Sequence, residues 1–584
     1  MSSSTMNAGS MSNHFGLFLP TILSQSNDEQ LSNWLEPTFG GKIIGCYAQT
    51  ELGHGSNVRG LLTIAEFDKT TQEFVLNTPT LPSIKWWPGT LGKAATHAIV
   101  YAQLILDGKE HGVQAFLMQI RDENHRPLPG IEVGDLGPKM GDHANDTGFL
   151  RLENVRIPRE MMLAKNQEVT PEGKFISRTS SGNSKSHYST MMLARASFIM
   201  MAGAYLARAV TIAMRYSCVR RQGFEDTAST SFRAPEKQII DYQVQRYRVF
   251  KQLAIAYAFK FSSQWLSNRQ AAKKGGDEKD ALQDLKEIAA TGAGLKGLCT
   301  YMTWEGIEDC RKCCGGNGYL MVSGLAPLSQ DYVWQITAEG DYILMILQLA
   351  KFLLSTYQDA VKGVPVSEQC DYLADIAKPN FNSEALRPPA AKSFRDFLDL
   401  GVLLSWYKYR ALVTLVDVAA QYTGKLSEGV PKDVAFNECA LAGTHAVRAH
   451  CFYFLLRNFI QAIKAVADKP VQVVLTQVAT LFGLCLMIDE NWGGCLSRAD
   501  LSMVKQANAH ILDVLRPNAI ALVDAFDIPD RVLGTALGNA DGNVYEALYE
   551  SVKKAPLNQV DPYVGYDQMQ KYLDLDILKK RSKL

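Results

Sequence analysis

The run IIDYQVQRYRVFKQLAIAYAFKF, Ile239 to Phe261, sets the period of the second half of the chain. Ile240, Val244, Tyr247, Phe250, Ala254, Tyr257 and Phe261 recur every three or four positions, which lines one face of an α-helix. The same spacing returns in Tyr342 to Leu354. Pro365, Pro379, Pro388 and Pro389 break it, and helical patterns resume at about 393–422, 437–467, 471–488 and 499–526. Upstream the period is that of strands. Leu61 to Phe67, Phe74 to Thr78, His97 to Leu106, Ala115 to Arg121 and Phe149 to Ile157 are short apolar runs parted by Gly, Pro, Asp and Asn. The expected class is α+β: a β domain followed by two helical domains.

A chain of 584 residues is too long for one core. Sixty basic residues against 60 acidic ones leave no net field to hold nucleic acid. Eleven cysteines, an odd number without framework spacing, fit a reducing compartment. The polar N-terminus lacks the charged-then-apolar order of a signal peptide. The most apolar run, Val471 to Ile488, carries Gln472, Thr476, Gln477 and Thr480 and reads as a buried helix, so no membrane span is expected. Ser582, Lys583 and Leu584 match a tripeptide address that an import receptor reads, from which a peroxisomal location is expected, the other reading being a frayed basic helix end after Lys579, Lys580 and Arg581.

Generic motifs assign no reaction. There is no GxGxxG after a strand, no GxxxxGK[ST], no HExxH and no GxSxG. Cys310, Cys313 and Cys314 have only Cys299 as a nearby further thiol and no adjacent histidine, so helix packing is expected and no metal. His54, between Gly53 and Gly55, reads as a turn histidine.

An ordered set of segments resembles the acyl-CoA oxidase and dehydrogenase flavoproteins, the oxidases above all. YAQTELGHGS (Tyr47–Ser56) and SIKWWPGTLGK (Ser83–Lys93) look like the flavin-contacting loops of the oxidases. GPKMG (137–141), NVRIPREMML (154–163), RYSCVRRQGF (215–224), CCGGNGYL (313–320) and TAEGD (337–341) follow in the family order. ALVDAFDIPD (521–530) and DGNVYEALYE (541–550) resemble the extra helical domain of the oxidases. The resemblance implies a central β-barrel-like domain followed by two helical-bundle domains, in four regions: a remnant of an N-terminal helical domain over 1–40, a β domain over 41–170, a helical bundle over 171–362 and a C-terminal helical domain over 363–584.

The resemblance implies FAD as cofactor, an acyl-CoA as substrate and molecular oxygen as electron acceptor. Thr50, Ser56 and Gly89 would lie against the flavin, with hydroxyls and a close backbone approach. Arg220, in the pattern Y-x-x-x-R from Tyr216, would reach the diphosphate, with Gln243, Gly315 and Gly316 toward the adenosine part. Family sites of this kind are shared between subunits, so a homodimer or a heterodimer with a related oxidase is implied. Tyr188 and Arg195 fall in the acyl-CoA-contacting stretch. Glu339 matches the catalytic base, which takes the α proton of the thioester while the β hydride leaves for the flavin.

Two departures stand out. Ala338 occupies a position where many relatives carry an aromatic residue, which opens the question of acyl chain length. Relatives carry on the order of 80 further residues, the size of a small domain, before HFGLFLP (14–20), so much of the N-terminal helical domain is expected to be missing. Phe15, Leu17, Phe18, Leu19, Ile22 and Leu23 are then expected to be partly uncovered. Two other readings remain open at this stage: a dehydrogenase that passes electrons to a carrier flavoprotein, and a non-catalytic partner of a full-length oxidase.

Overall fold

The computed structural model describes residues 11–178, 184–271, 278–561 and 564–573, with the side chains of 184–194, 270–271 and 278–284 outside the description. The side chain of Tyr188 and the tripeptide Ser582–Leu584 therefore lie outside the description.

Nine strands make the two main sheets of the β region: β1 (Gly45–Ala48), β2 (Ile64–Asp68), β3 (Glu73–Asn77), β4 (Lys85–Trp86), β5 (His97–Leu106), β6 (Lys109–Gln119), β7 (Ile131–Asp135), β8 (Gly148–Leu152) and β9 (Val155–Pro158). β5 organises the larger, six-stranded mixed sheet. Its first half pairs in parallel with β1 and its second half with β2, while β6 runs antiparallel along its other edge. β3 and β9 extend the sheet beyond β2. A second sheet of β4, β8 and β7 is antiparallel. The apolar faces of both sheets close one core around Phe74, Val100, Phe116, Leu150 and Leu152.

The run Phe149 to Ile157, read above as one strand, is two strands in two different sheets. Asn154 makes the break. It takes φ +51°, a left-handed conformation that Asn tolerates better than most residues. Its amide donates to Asn77 Oδ1 at 2.7 Å.

The N-terminal segment forms a π turn at His14–Phe18, then α1 (Leu19–Gln25) and α2 (Asp28–Phe39), closed by an Asn27–Gln30 capping box. Phe18 and Ile22 are wholly buried against Ile99, Tyr101 and Leu117 of the larger sheet. A side chain at Gly45 would collide with the Phe18 ring, so the glycine is what lets the segment dock. His14 bridges the same joint, accepting from the Gly45 amide at 3.0 Å and bonding the Thr38 carbonyl at 2.9 Å. The expectation of uncovered apolar residues holds for Phe15 and Leu23, each nearly half exposed, and fails for Phe18, Leu19 and Ile22.

Apart from two short antiparallel strand pairs, Gln167–Val169 with Phe175–Ser177 and Arg221–Phe224 with Glu236–Gln238, the other regular elements are helical. Helices α3 (Ser184–Val219), α4 (Gln243–Ala271) and α5 (Glu278–Cys313) pack on one another, followed by α6 (Leu325–Tyr332) and α7 (Tyr342–Val361). Four long helices follow: α8 (Leu400–Ser427), α9 (Ala440–Lys464), α10 (Lys469–Asp489) and α11 (Arg498–Leu515). All share one apolar core, running from Leu206 and Phe250 to Leu481 and Leu512. In the stripe quoted first, Ile240, Phe250, Ala254 and Tyr257 are buried as expected, but Val244 is 71% exposed, because it stands in the first turn of α4, before the neighbouring helices reach it. Arg195–Val219 and α10 are long and apolar enough to cross a membrane, yet most of each is buried in this core. Cys310, Cys313 and Cys314 are buried in it too, and burial pushes the Cys313 thiol up to about 12.

Candidate active site

Glu339 sits between the helices and the β region, on the short link from a 3₁₀ turn (Val333–Ile336) to α7. The helix itself begins later, capped by Asp341, whose carboxylate accepts from the Ile343 amide at 2.9 Å. Glu339 is therefore not a helix-terminal carboxylate. It takes φ +55°, and Gly340 after it takes φ +111°. Two successive residues with positive φ turn the Glu339 side chain away from the path it would follow on a helix. The Glu339 amide donates to no carbonyl among the described residues.

Three groups from three elements meet this carboxyl electrostatically. Lys296 comes from α5 and Arg195 from α3. Tyr47 comes from β1, and its phenol is raised by burial, by Tyr101 and by the Glu339 charge. Burial pushes the Glu339 carboxyl above the ordinary carboxylate range, and the Lys296 and Arg195 cations pull it part of the way back. Arg195 is buried and reaches the Ala289 carbonyl at 3.3 Å and Gln348 Oε1 at 3.2 Å. Behind Tyr47 a polar string leads into the N-terminal segment: the Tyr47 and Tyr101 rings lie 4.9 Å apart, and Gln25 donates to the Tyr101 hydroxyl at 3.1 Å.

The two loops of the β region are tied to each other by a buried ion pair. Glu51 accepts from the amides of Leu62 and Thr63, the Thr63 hydroxyl at 2.6 Å and Lys85 Nζ at 3.2 Å. Lys85 also donates to the Gln49 carbonyl at 3.1 Å, next to Thr50. His54 bonds Glu51 at 3.0 Å, in keeping with a turn histidine. Thr50 is half-buried and Ser56 is exposed on the loops this pair holds. Gly89 is buried, and a side chain there would collide with the amides of Asn13 and Asn145, so the position has room for a glycine alone. The GPKMG loop packs on α6: a side chain at Gly141 would strike the Gln330 carbonyl, and the Asp142 amide donates to Asp331 at 3.1 Å.

Arg220, Gln243, Gly315 and Gly316 gather at the opposite end of the three long helices. Arg220 follows α3, Gln243 opens α4 and the two glycines follow α5. Gln245 fastens the three ends, donating to Ser217 Oγ at 3.0 Å and to the Cys313 carbonyl at 2.8 Å. The Arg220 guanidinium lies over the Tyr545 ring at 5.9 Å. Gln243 and the two glycines are solvent-exposed, and Cβ atoms at the glycines would meet nothing. The fold thus joins Glu339 to Arg195 and joins the Arg220 group to itself. It separates the two sets by the 25 residues from Arg195 to Arg220, about 37 Å of helix. Tyr47 opens the first loop motif, but nothing in the sequence pairs it with Glu339, and no local pattern marks Lys296 at all; both are far from Glu339 along the chain.

The donor set at the first cluster fits a carbonyl-activating site. It offers a carboxylate of raised basicity, an uncommitted amide beside it and two cations. The open glycine pair and the neighbouring guanidinium at the second cluster fit the anionic, elongated part of a dinucleotide.

Comparison with known proteins agrees in order and extent. The profile of the middle domain of acyl-CoA dehydrogenases matches residues 46–155, that of the acyl-CoA oxidase C-alpha1 domain 188–354 and that of acyl-CoA oxidase 399–573. Peroxisomal acyl-coenzyme A oxidase 1 of Cavia porcellus is 40% identical over 96% of this chain and 84% of its own length. Among solved structures, acyl-CoA oxidase 1 of Arabidopsis thaliana superposes with a TM-score of 0.89 at 39% identity, over 98% of this chain and 85% of its own. Acyl-CoA oxidase-2 of Caenorhabditis elegans, bound with FAD, ascaroside-CoA and ATP, gives 0.86 at 35% identity, over 98% and 83%. The chain belongs to the acyl-CoA oxidase family.

Proposed function

We propose that this chain oxidises an acyl-CoA to the trans-2-enoyl-CoA, with Glu339 as the base, FAD as hydride acceptor and oxygen as final electron acceptor, yielding hydrogen peroxide. Family membership supports the reaction, the cofactor and a place in peroxisomal fatty-acid β-oxidation. The oxidase profile over 399–573 favours oxygen over a carrier flavoprotein as the acceptor. Ser582, Lys583 and Leu584 would be the segment an import receptor reads.

The observation that carries the role of Glu339 is its raised carboxyl beside its own uncommitted amide. An α C–H next to a thioester is a weak acid. A base of raised pKa takes its proton more readily, and a donor on the thioester oxygen stabilises the enolate that develops. Glu339 offers both from one residue. The Arg195 charge, which already acts on the Glu339 carboxyl, would also favour the negative charge that builds up there. Bound FAD supplies the acceptor for the β hydride and passes the electrons on to oxygen. Thr50, Ser56 and Gly89 would flank its ring system, with Arg220, Gln243, Gly315 and Gly316 on its diphosphate and adenosine part, and Tyr188 beside the acyl-CoA. Arg195, beside Glu339, and Arg220 stand 25 residues apart along the line of α3, so we read a complete site as drawing the Glu339 cluster from one subunit and the Arg220 group from another. This supports a dimer, of this chain or with a related oxidase.

Glu339→Gln is nearly isosteric and cannot accept the α proton. It is expected to keep its flavin absorbance and lose at least ~10²-fold in peroxide production. Wild-type peroxide production would remove Glu339 from the role of base.

A further inference from the structure

Two lysines are wholly enclosed among the described residues, Lys85 and Lys296. The first is accounted for by Glu51. The second has another kind of partner. Lys296 Nζ donates to the carbonyls of Gln335 at 2.9 Å, Ala338 at 2.7 Å and Gly340 at 2.5 Å. An ammonium has three N–H donors, and here all three are used. Every acceptor belongs to the one turn that carries Glu339, and two of them are its immediate neighbours. The turn needs such a hold. A glutamate at φ +55° followed by a glycine at φ +111° persists only where the surroundings over-determine it. Because the carbonyls of Ala338 and Gly340 point at Lys296, the Glu339 side chain and amide are directed elsewhere. The Phe198 ring, 5.3 Å from the ammonium, closes its remaining side.

We infer that Lys296 is a positioning residue for the oxidation: its ammonium fixes the Gln335–Gly340 turn, so that Glu339 presents carboxylate and amide together, and its charge steadies that carboxylate. The inference rests on the reading of Glu339 as the base.

The groups facing Glu339 are Lys296 from α5, Arg195 from α3 and Tyr47 from β1. Asp341, beside it in sequence, also acts on Lys296. Burial lowers the Lys296 ammonium to about 8, with Glu339 and Asp341 opposing, so it carries its charge at neutral pH. Glu339 must be ionised to act. Removing a cation from its side raises its pKa and moves the acid limb of the rate profile to higher pH.

The test compares Lys296→Met, Lys296→Arg and Glu339→Gln as flavin-loaded enzymes. Lys296→Met keeps the stem and removes the ammonium. Its kcat is expected to fall roughly 10–100-fold with KM little changed, and the acid limb of kcat to move up by about one pH unit. Lys296→Arg keeps the charge, but a planar fork does not converge on three carbonyls. Its kcat is expected to fall while the acid limb stays at its wild-type position. Wild-type kcat, or an unmoved acid limb, in Lys296→Met overturns the inference. So does failure of both Lys296 variants to accumulate with flavin, which would make the lysine a folding residue alone. Wild-type Lys296→Met beside inactive Glu339→Gln removes only this inference, whereas active Glu339→Gln removes the reading of the base beneath it.

Discussion

Two glutamates, Glu51 and Glu339, show how one side chain acquires opposite properties. Burial alone would raise both carboxyls. At Glu51 the Lys85 ammonium, the Thr63 hydroxyl and the amides of Leu62 and Thr63 outweigh burial and hold the carboxyl below its ordinary range. At Glu339 the two cations only moderate the rise. Glu51 thus keeps its negative charge at neutral pH and ties two loops, and Glu339 is suited to exchange a proton. Glu51→Gln leaves the Lys85 charge enclosed without its counter-ion, and a loss of about 3–5 kcal/mol is expected in the urea unfolding of the β region. Because the folded pKa is depressed, this stabilisation is fully present above the ordinary glutamate value near 4.3 and fades as pH falls below it. The gap between wild type and variant should therefore close in acid, and a gap that persists there would mean the contribution is packing and not charge.

At the scale of elements, the turn between β8 and β9 decides how the two sheets meet. β8 pairs with β4 and β7, and β9 with β3, so the chain crosses from one sheet to the other within Glu153 and Asn154. The crossing depends on a left-handed residue. The Asn154 backbone amide bonds Asn77 whatever the side chain, so substitution tests the backbone conformation itself. Asn154→Gly should unfold within about 0.5 kcal/mol of wild type, while Asn154→Val, β-branched, should lose about 1–3 kcal/mol. Thermal midpoints measured side by side check this, and equal midpoints for Val and Gly would show the turn to be unstrained.

At the scale of the molecule, α3 acts as a ruler between two clusters. Arg195 stands with Glu339 near one end, and Arg220 follows the other. Arg220 makes a ring contact with Tyr545 from the far C-terminal region, so the C-terminal helices shape the second cluster. Arg220→Ala should leave the Glu339 cluster intact and weaken flavin retention, by roughly 1.5–3 kcal/mol for a lost charge-assisted contact. Flavin absorbance per protein after gel filtration reads this. Undiminished flavin would leave Arg220 with the Tyr545 contact as its whole role.

The sequence by itself determined what is periodic or local. The change from strand to helix period, the bounds of His97–Leu106 and the core face of Phe250, Ala254 and Tyr257 are consequences of side-chain alternation and need no knowledge of the rest of the chain. The resemblance named Glu339 because TAEG is a contiguous motif. Only the tertiary structure decided what depends on distant partners. The split of Phe149–Ile157, the exposure of Val244 and the docking of Phe18 against Gly45 follow from where other elements lie. Lys296 is the plainest case. On its helix it is one lysine among several, and its three acceptors are backbone carbonyls, which every residue has and no sequence pattern marks. A buried charge is satisfied by whatever the fold brings to it, and that is fixed when the chain packs and not before.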